Sequence, residues 1–111
     1  IIGGAGNDKL NASAGGDLLI AGRTAYDANY EALAAIFAEW SSSAAYQTRI
    51  ARLRSGGGSI VQPLGIKLAH DETVFDDTVA DTLWGGSDLD WFFLDPARDR
   101  VKDKVNSESV R

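Results

Sequence analysis

The sequence contains no cysteine, no methionine and a single histidine among its 111 residues. The missing cysteines exclude disulfide bonds, thiolate metal ligands and thiol nucleophiles. With His70 alone, a metal site built from several histidines is excluded, and serine-histidine-aspartate catalysis would depend on that one residue. No apolar run approaches the roughly 18 residues that a membrane-spanning helix requires.

Basic residues are also scarce, with 11 Lys and Arg against 16 Asp and Glu, which gives a net charge of −5. This balance argues against nucleic acid or an anionic membrane as the main partner. Residues 71–95 carry eight carboxylates and no Lys or Arg, and aromatic residues are interleaved with them. A segment that folds despite such repulsion is either a solvated acidic surface or a site for a hard divalent cation.

A nine-residue repeat explains much of this acidic pattern. Residues 3–11 match all five specified positions of the nonapeptide G-G-x-G-x-D-x-U-x, in which U is a large apolar residue. Residues 12–20 keep Gly15, Asp17 and Leu19 of the same frame, and residues 85–93 match with Asp88 in place of the third glycine. Counted in nines, an acid followed two residues later by an apolar residue recurs at Glu72, Asp81, Asp90, Asp99 and Glu108.

The repeat has a simple physical basis. Six residues form a tight turn, in which glycine adopts backbone angles closed to other residues, and three residues form a short strand. Successive strands pair in parallel and stack their apolar side chains, because one repeat cannot bury its apolar residue alone. The stacked turns then line up carboxylate and carbonyl oxygens, which suit Ca²⁺ rather than a soft transition metal.

These residues resemble the RTX, or haemolysin-type, calcium-binding repeats. The resemblance implies a parallel β-roll with Ca²⁺ between turns that lie two nonapeptides apart. One edge would hold the turns that end at Glu72, Asp90 and Glu108, and the other those that end at Asp81 and Asp99. The metal-site residues expected on this basis are Gly4, Gly6, Asp8, Gly15, Asp17, Asp77, Asp81, Gly86, Asp88 and Asp90.

The expected fold class is α+β, a short parallel β-roll with a two-helix insertion packed on it. One domain is predicted, with first roll turns at 1–23, a helical insertion at 24–54, a loop at 55–66, and a second roll segment with a cap at 67–111. The order of segments also resembles a C-terminal module of large secreted bacterial proteins. The chain begins at the edge of a repeat and has no initiator Met, so a fragment of a larger protein is expected.

Residues 24–54 change to a helical period. Leu33, Ile36, Phe37 and Trp40 fall on one apolar stripe, with Thr24 or Asp27 as candidate helix caps. A second helix capped by Ser43 would place Tyr46, Ile50 and Leu53 on one face. Packing within the protein is favoured for this stripe over a partner groove built on Trp40 and Tyr46.

The function predicted from the sequence is that of a calcium-binding structural or C-terminal capping module, secreted or on the cell surface, with folding coupled to Ca²⁺. Its partners would be calcium ions and the rest of a larger parent chain, with a protein partner or self-association open. One alternative is an adhesion or interaction module that uses the helical insertion and exposed tryptophans. Another is a secretion-associated segment in which metal is secondary. No nucleophile motif accompanies His70, so an enzyme is not expected.

Overall fold

A computed structural model describes residues 1–111, which form two compact units. The repeat unit comprises Ile1–Arg23 with Val74–Arg111, and the helical unit comprises Thr24–Thr73. Two helices combined with short parallel sheets agree with the α+β class. Neither helix has the length and apolar character needed to cross a membrane.

The strands are two or three residues long, as six-residue turns allow. In chain order they are β1 (Lys9–Asn11), β2 (Leu18–Ile20), β3 (Arg23–Thr24), β4 (Val74–Phe75), β5 (Thr82–Trp84), β6 (Trp91–Phe93), β7 (Arg100–Val101) and β8 (Ser109–Val110). One parallel sheet has the order β1-β5-β7 and a second has the order β2-β6-β8. β3 and β4 make a separate two-stranded sheet. The chain therefore visits the two larger sheets alternately.

The register of these sheets divides the repeat unit into three tiers. Leu10 lies opposite Leu83, and Leu83 opposite Val101; in the other sheet Leu19 lies opposite Phe92, and Phe92 opposite Val110. We call residues 3–20, 76–93 and 94–111 the first, second and third tiers. Equivalent residues are 73 positions apart between the first two tiers and 18 apart between the last two.

A thin core runs through all three tiers. The buried cluster contains Leu10 and Leu83 from one sheet and Leu19 and Phe92 from the other, and Val101 and Val110 pack against it from the third tier. Leu19, Leu83 and Phe92 have no exposed surface. The apolar position of each nonapeptide therefore points inward, and each tier supplies the surface that its neighbour buries.

The predicted frame position at Glu72 lies outside this stack. Glu72 is an exposed residue of the helical unit and forms an ion pair with Lys67. The edge expected to contain Glu72, Asp90 and Glu108 instead contains Asp17, Asp90 and Glu108. The 73-residue offset is one more than a multiple of nine, so the frame changes phase across the intervening segment.

The helical unit contains α1 (Tyr30–Trp40), α2 (Tyr46–Ser55) and a short 3-10 helix at Gln62–Leu64. Asn29 caps α1, because its side chain accepts the Ala32 N–H at 3.1 Å. The predicted caps Thr24 and Asp27 are wrong, since Asp27 accepts the backbone N–H and the hydroxyl of Thr24. The predicted cap Ser43 is also wrong, because α2 begins after Ala45 with no side-chain cap.

The apolar stripe of α1 is only partly buried. Ile36 and Trp40 are buried, whereas Phe37 is 71% exposed and Tyr30 is 90% exposed. Trp40 contacts Tyr46 edge to face at 6.1 Å, and the Arg49 guanidinium lies over its ring at 4.4 Å. Trp40 is thus used in packing between α1 and α2.

Candidate metal centre

The acidic residue at the end of each turn joins one tier to the next. In the first column, the Asp8 N–H donates to Asp81 Oδ1 at 2.7 Å, and the Asp81 N–H donates to Asp99 Oδ1 at 2.9 Å. A carboxylate that accepts a backbone N–H forms a strong, charge-assisted hydrogen bond. The predicted residues Asp8 and Asp81 are therefore placed together, with Asp99 as the third member of the column.

The second column repeats this arrangement in the other set of turns. The Asp17 N–H donates to Asp90 Oδ1 at 2.7 Å, and the Asp90 N–H donates to Glu108 Oε2 at 2.9 Å. Asp90 and Glu108 are both buried. The predicted residues Asp17 and Asp90 therefore also lie in adjacent tiers, and Glu108 completes their column.

The second oxygen of several of these carboxylates has no hydrogen-bond partner. Oδ2 of Asp8, Asp17 and Asp81 is buried and accepts no hydrogen bond. A buried carboxylate oxygen without a partner carries a large desolvation cost. Each of these oxygens is consequently available to bind a cation inside its turn.

The first glycine of the nonapeptide makes room for such an oxygen. A Cβ at Gly3 would lie 2.9 Å from Asp8 Oδ2, and one at Gly85 would overlap Asp90 Oδ2 and the Phe92 ring. Neither glycine has a positive φ, so both are required for close approach rather than for an unusual backbone angle. Gly3 and Gly85 thus shape the turn interior, although they were not among the predicted site residues.

The four predicted glycines all have left-handed backbone angles. Gly4, Gly6, Gly15 and Gly86 have φ values of 86°, 112°, 105° and 88°. Asp88, which replaces a glycine of the repeat, has a φ of 67°, an angle that Asp tolerates better than most residues. The turn conformation therefore persists where that glycine is lost.

Two predicted acidic ligands already accept backbone hydrogen bonds. Asp77 accepts the Gly6 N–H on Oδ2 and the Val79 N–H on Oδ1, at 2.9 and 3.0 Å. Asp88 Oδ2 accepts the Gly15 N–H at 3.1 Å. Both oxygens of Asp77 and Oδ2 of Asp88 thus already accept hydrogen bonds, unlike Oδ2 of Asp8, Asp17 and Asp81.

The third tier contains a residue of this type that the sequence pattern missed. Asp103 accepts the N–H groups of Gly85 and Gly86 at 2.9 and 2.8 Å. It lies 18 residues after Gly85, at the first-glycine position of its own nonapeptide. Spacing alone locates that position, but a search for glycines in the motif passes over an aspartate there.

Burial and mutual repulsion change the electrostatics of both columns. Burial raises the pKa of Asp81, and the nearby carboxylates of Asp99, Asp77 and Asp8 raise it further. Burial raises the pKa of Asp90 to about 7, with Glu108 and Asp17 adding to the rise. The pKa of Asp17 is raised by burial and by Asp88, against the lowering influence of the N-terminal amine. Each of these carboxylates would therefore be stabilised in its charged form by a cation.

The donor set fits a hard cation in chemistry, although no ready-made cage of side chains is present. No group of three or more His, Asp or Glu side chains is arranged to hold a metal ion. The buried Oδ2 atoms of Asp8, Asp17 and Asp81 are hard oxygen ligands of the kind that Ca²⁺ prefers. A calcium ion here would therefore need oxygen ligands besides the carboxylate side chains.

Other residues considered from the sequence have structural contacts. His70 Nε2 lies 3.4 Å from Asp71 Oδ1. Trp91 has no exposed surface, and its ring centroid lies 4.8 Å from that of Phe93. Trp84 is half-buried. The exposed tryptophans required by the adhesion alternative are therefore not found at these two positions.

Comparison with known proteins gives one match. The family model for the RTX calcium-binding nonapeptide repeat matches four copies, over residues 1–24 and 69–101. These ranges contain both stretches of predicted metal-site residues and cover just over half of the chain. No curated protein and no solved structure matches the chain significantly.

Proposed function

Because this chain belongs to the RTX calcium-binding nonapeptide repeat family, whose repeats bind Ca²⁺, we propose that it is a calcium-binding structural module whose repeat unit winds as a parallel β-roll. Two three-stranded parallel sheets, visited alternately by the chain around one core, support this winding. The family is generally non-catalytic, in keeping with a structural role.

The observation that carries the proposal is the set of buried Oδ2 atoms at Asp8, Asp17 and Asp81 that accept no hydrogen bond. Burying such atoms is costly, and a bound cation offsets that cost directly. Oxygen is the ligand type that Ca²⁺ prefers. These three carboxylates, together with Asp90 in the second column, are the side chains proposed to bind calcium.

The glycines Gly4, Gly6, Gly15 and Gly86 are proposed to contribute backbone carbonyls and the left-handed turns that present them. Asp77 and Asp88 are proposed as ligands that contribute less to calcium affinity. Their carboxylates accept backbone N–H groups. An ion bound to those same oxygens would compete with these hydrogen bonds and weaken them. This ranking predicts a smaller calcium effect from changes at Asp77 and Asp88.

Calcium would neutralise carboxylates whose burial raises their pKa, and so couple ion binding to folding. A ligand that binds only the folded state stabilises it in proportion to the logarithm of its concentration. Extracellular calcium modules typically have dissociation constants of about 10⁻⁴–10⁻³ M. RTX repeat proteins are typically secreted, which supports an extracellular or cell-surface location and folding on export.

The third tier is proposed to be a polar cap that closes the stack without metal. Asp99 accepts the N–H groups of Asp81 and Asp95, and Arg98 forms a salt bridge with Asp95 at 2.7 Å. The side chains of this tier therefore satisfy one another and the backbone. These contacts support the proposal that the module has a C-terminal capping role in a larger secreted protein.

Matched Asp→Asn variants test the calcium site. In Asp81→Asn, the retained Oδ1 still accepts the Asp8 N–H, but the buried Oδ2 becomes an amide, so calcium affinity should fall by about tenfold or more. Asp99→Asn is the control, because this carboxylate lies in the same column but both its oxygens accept N–H groups. Isothermal titration calorimetry with CaCl₂, with folding checked by circular dichroism, measures the difference. Equal affinities for both variants would contradict the assignment.

A second candidate function, binding of another protein chain, is favoured by α1. Tyr30 and Phe37 lie two turns apart on this helix and are 90% and 71% exposed. Large apolar side chains at such spacing are typical of helices that dock on a partner. Light scattering of the wild type and of Tyr30→Ser/Phe37→Ser, with and without calcium, tests whether that partner is a second copy.

A further inference from the structure

The outward face of α1 is apolar, whereas an acidic residue lies on its inward face. Tyr30 and Phe37 are 90% and 71% exposed, and the exposed Ala34 lies between them in the sequence. Glu39, by contrast, is 1% exposed. A helix on a protein surface normally has the reverse arrangement, with charged residues outward and apolar residues inward. The outward face of α1 is therefore suited to being covered by a partner.

The contacts of the inward face hold α1 in this orientation. Glu39 Oε1 accepts the Ile60 N–H at 3.2 Å, and a Cβ at Gly58 would overlap the Glu39 carboxylate. A rotation that buried the aromatic residues would break this hydrogen bond, and a buried donor or acceptor left without a partner is costly. The outward position of the aromatic residues is thus fixed by the packing of the helical unit.

The exposed residues of this face have the spacing of a coiled-coil seam. Tyr30, Ala34, Phe37 and the cap residue Ser41 are four, three and four residues apart, as alternating d and a positions of a heptad are. All four are exposed, and large and small side chains alternate along the row. We call this row of four residues the α1 seam. It offers two aromatic side chains and, beside each, a small residue that leaves room for one.

Charge limits which partners fit the α1 seam. The seam has no charged residue, and α1 contains no Lys or Arg. Helices that lie on anionic membranes carry Lys and Arg on their polar face, so a lipid surface is a poor match. A strongly charged partner would find no countercharge. A chain with a net charge of −5 repels its own copy, and a face without charge is where two copies approach with least repulsion.

We propose that two copies of this chain dimerise through their α1 seams, packed antiparallel about a two-fold axis. The inference rests on the proposed binding of another protein chain by α1 and names that chain. With the axis between residues 35 and 36, Phe37 lies opposite Ala34 of the second copy, and Tyr30 lies opposite its Ser41. Two-fold symmetry makes each of these contacts occur twice.

The sizes of the seam residues favour the antiparallel arrangement over the parallel one. In the antiparallel pair, every layer combines one aromatic side chain with one small side chain. A parallel pair would place Phe37 against Phe37 and Ala34 against Ala34, so that a crowded layer alternates with a void. Both overpacking and voids are destabilising in a close-packed interface.

The short length of α1 sets the strength of the dimer. Its 11 residues span about 16 Å, so one helix pair buries less than the roughly 1,600 Å² of a standard protein interface. We therefore expect a weak dimer, with a dissociation constant of about 10⁻⁵–10⁻⁴ M.

Variants that exchange large and small residues at exposed positions test the pairing. Phe37→Ala alone leaves two small residues opposite each other, and Ala34→Phe alone places two aromatic residues opposite each other, so each should weaken dimerisation at least about tenfold. An equimolar mixture of the two variants restores one large and one small residue in each layer and should form a heterodimer about as strong as the wild-type dimer. Sedimentation equilibrium from about 10 µM to about 1 mM measures the association, and circular dichroism checks folding.

The outcomes separate this inference from the proposed functions. Val105→Ala is the control for general surface hydrophobicity, because Val105 is 51% exposed in the repeat unit, and it should dimerise like the wild type. A wild type that stays monomeric, or a mixture that does not associate, would overturn the second copy as the partner of α1. A dimer unaffected by Phe37→Ala would also remove α1 as the binding surface. Calorimetry with CaCl₂ on the same samples tests calcium binding separately, since the α1 seam lies in the helical unit.

Disulfide cross-linking tests the orientation of the two helices, because the chain contains no cysteine of its own. Tyr30→Cys and Ser41→Cys each place one thiol at an end of the α1 seam. In an antiparallel dimer only residues 30 and 41 face each other closely enough for a disulfide, so a mixture of the two variants should cross-link at least about tenfold faster than either variant alone. Disulfides that form as fast or faster within a single variant would indicate a parallel pair and overturn the proposal.

Discussion

The first and third tiers share one frame and differ in how their turns are satisfied. In the first tier, glycines form the turn and the Asp8 and Asp17 carboxylates accept no hydrogen bond. In the third tier, Asp95 and Asp103 stand where the repeat has glycine, and Asp99 accepts two backbone N–H groups. The difference shows that the same turn can be completed by side chains of the protein or left with oxygens available to an ion.

The largest expected effect is a difference in the free energy of unfolding between a variant of the third tier and a variant of the first tier. Asp99→Ala removes the acceptor of the partly buried Asp81 and Asp95 N–H groups, and each donor left unsatisfied costs up to about 1–3 kcal/mol. Asp8→Ala removes no such acceptor, so in EDTA it should change the free energy of unfolding by less than about 1 kcal/mol. Urea unfolding followed by tryptophan fluorescence measures both variants.

The two variants should differ in the opposite way in their response to calcium. In the presence of the ion, Asp8→Ala should lose much of the calcium-dependent stabilisation, whereas Asp99→Ala should retain it. If calcium raised the free energy of unfolding of both variants by the same amount, the two tiers would not differ as described.

The next effect concerns pH and the middle tier. The folded-state pKa of Asp90 is raised to about 7 from a value of 3.8, so the protonated form contributes stability that is lost as the pH rises through about 7. In EDTA, the melting temperature should therefore fall by several degrees between pH 5 and pH 8. Asp17 and Asp81, whose pKa values are also raised, add in the same direction.

Calcium binding has the opposite dependence on pH, because its ligands must be deprotonated. Calcium affinity should therefore increase between pH 5 and pH 8. Asp90→Asn should flatten the fall in melting temperature in EDTA and reduce calcium affinity, since its amide cannot titrate. Thermal unfolding at matched ionic strength checks both trends, and a metal-free protein that becomes steadily more stable over this range would contradict the assigned pKa.

The smallest effect lies where the second tier departs from the glycine pattern. Asp88→Gly relieves a left-handed angle that costs a non-glycine residue about 1 kcal/mol, but it removes the acceptor of the Gly15 N–H. These contributions oppose each other, so the free energy of unfolding should change by less than about 0.5 kcal/mol. Asp88→Ala keeps the strain and loses the bond, so it should destabilise by about 1–2 kcal/mol. Urea titration distinguishes the two.

The nine-residue spacing, combined with the resemblance to the RTX repeats, predicted how the second tier stacks on the third. Asp81 with Asp99 and Asp90 with Glu108 lie 18 residues apart, as two nonapeptides require. The partner of Asp17 was not predictable in this way, because the helical unit intervenes and shifts the phase. Glu72 kept the right spacing in the sequence but lies outside the stack.

Local competition between polar groups also limits what the sequence can tell. Thr24 and Asp27 are good helix caps by type, yet they bond to each other, and Asn29 takes the cap. Phe37 fits an apolar stripe by spacing, but its side chain is exposed. Likewise, no pattern distinguishes a carboxylate oxygen that accepts an N–H from one left without a donor, because this depends on the register between distant segments.

The 73-residue offset between the first two tiers has a consequence for how fast the protein folds. Pairing strands so far apart in sequence requires a large loop to close, which slows folding. The helical unit closes that loop by itself, since the Ala25 N–H donates to Thr73 O at 2.8 Å and brings its two ends together. Once this unit has formed, β2 and β6 are joined by a connection that is short in effect, and the search for the correct parallel register becomes local.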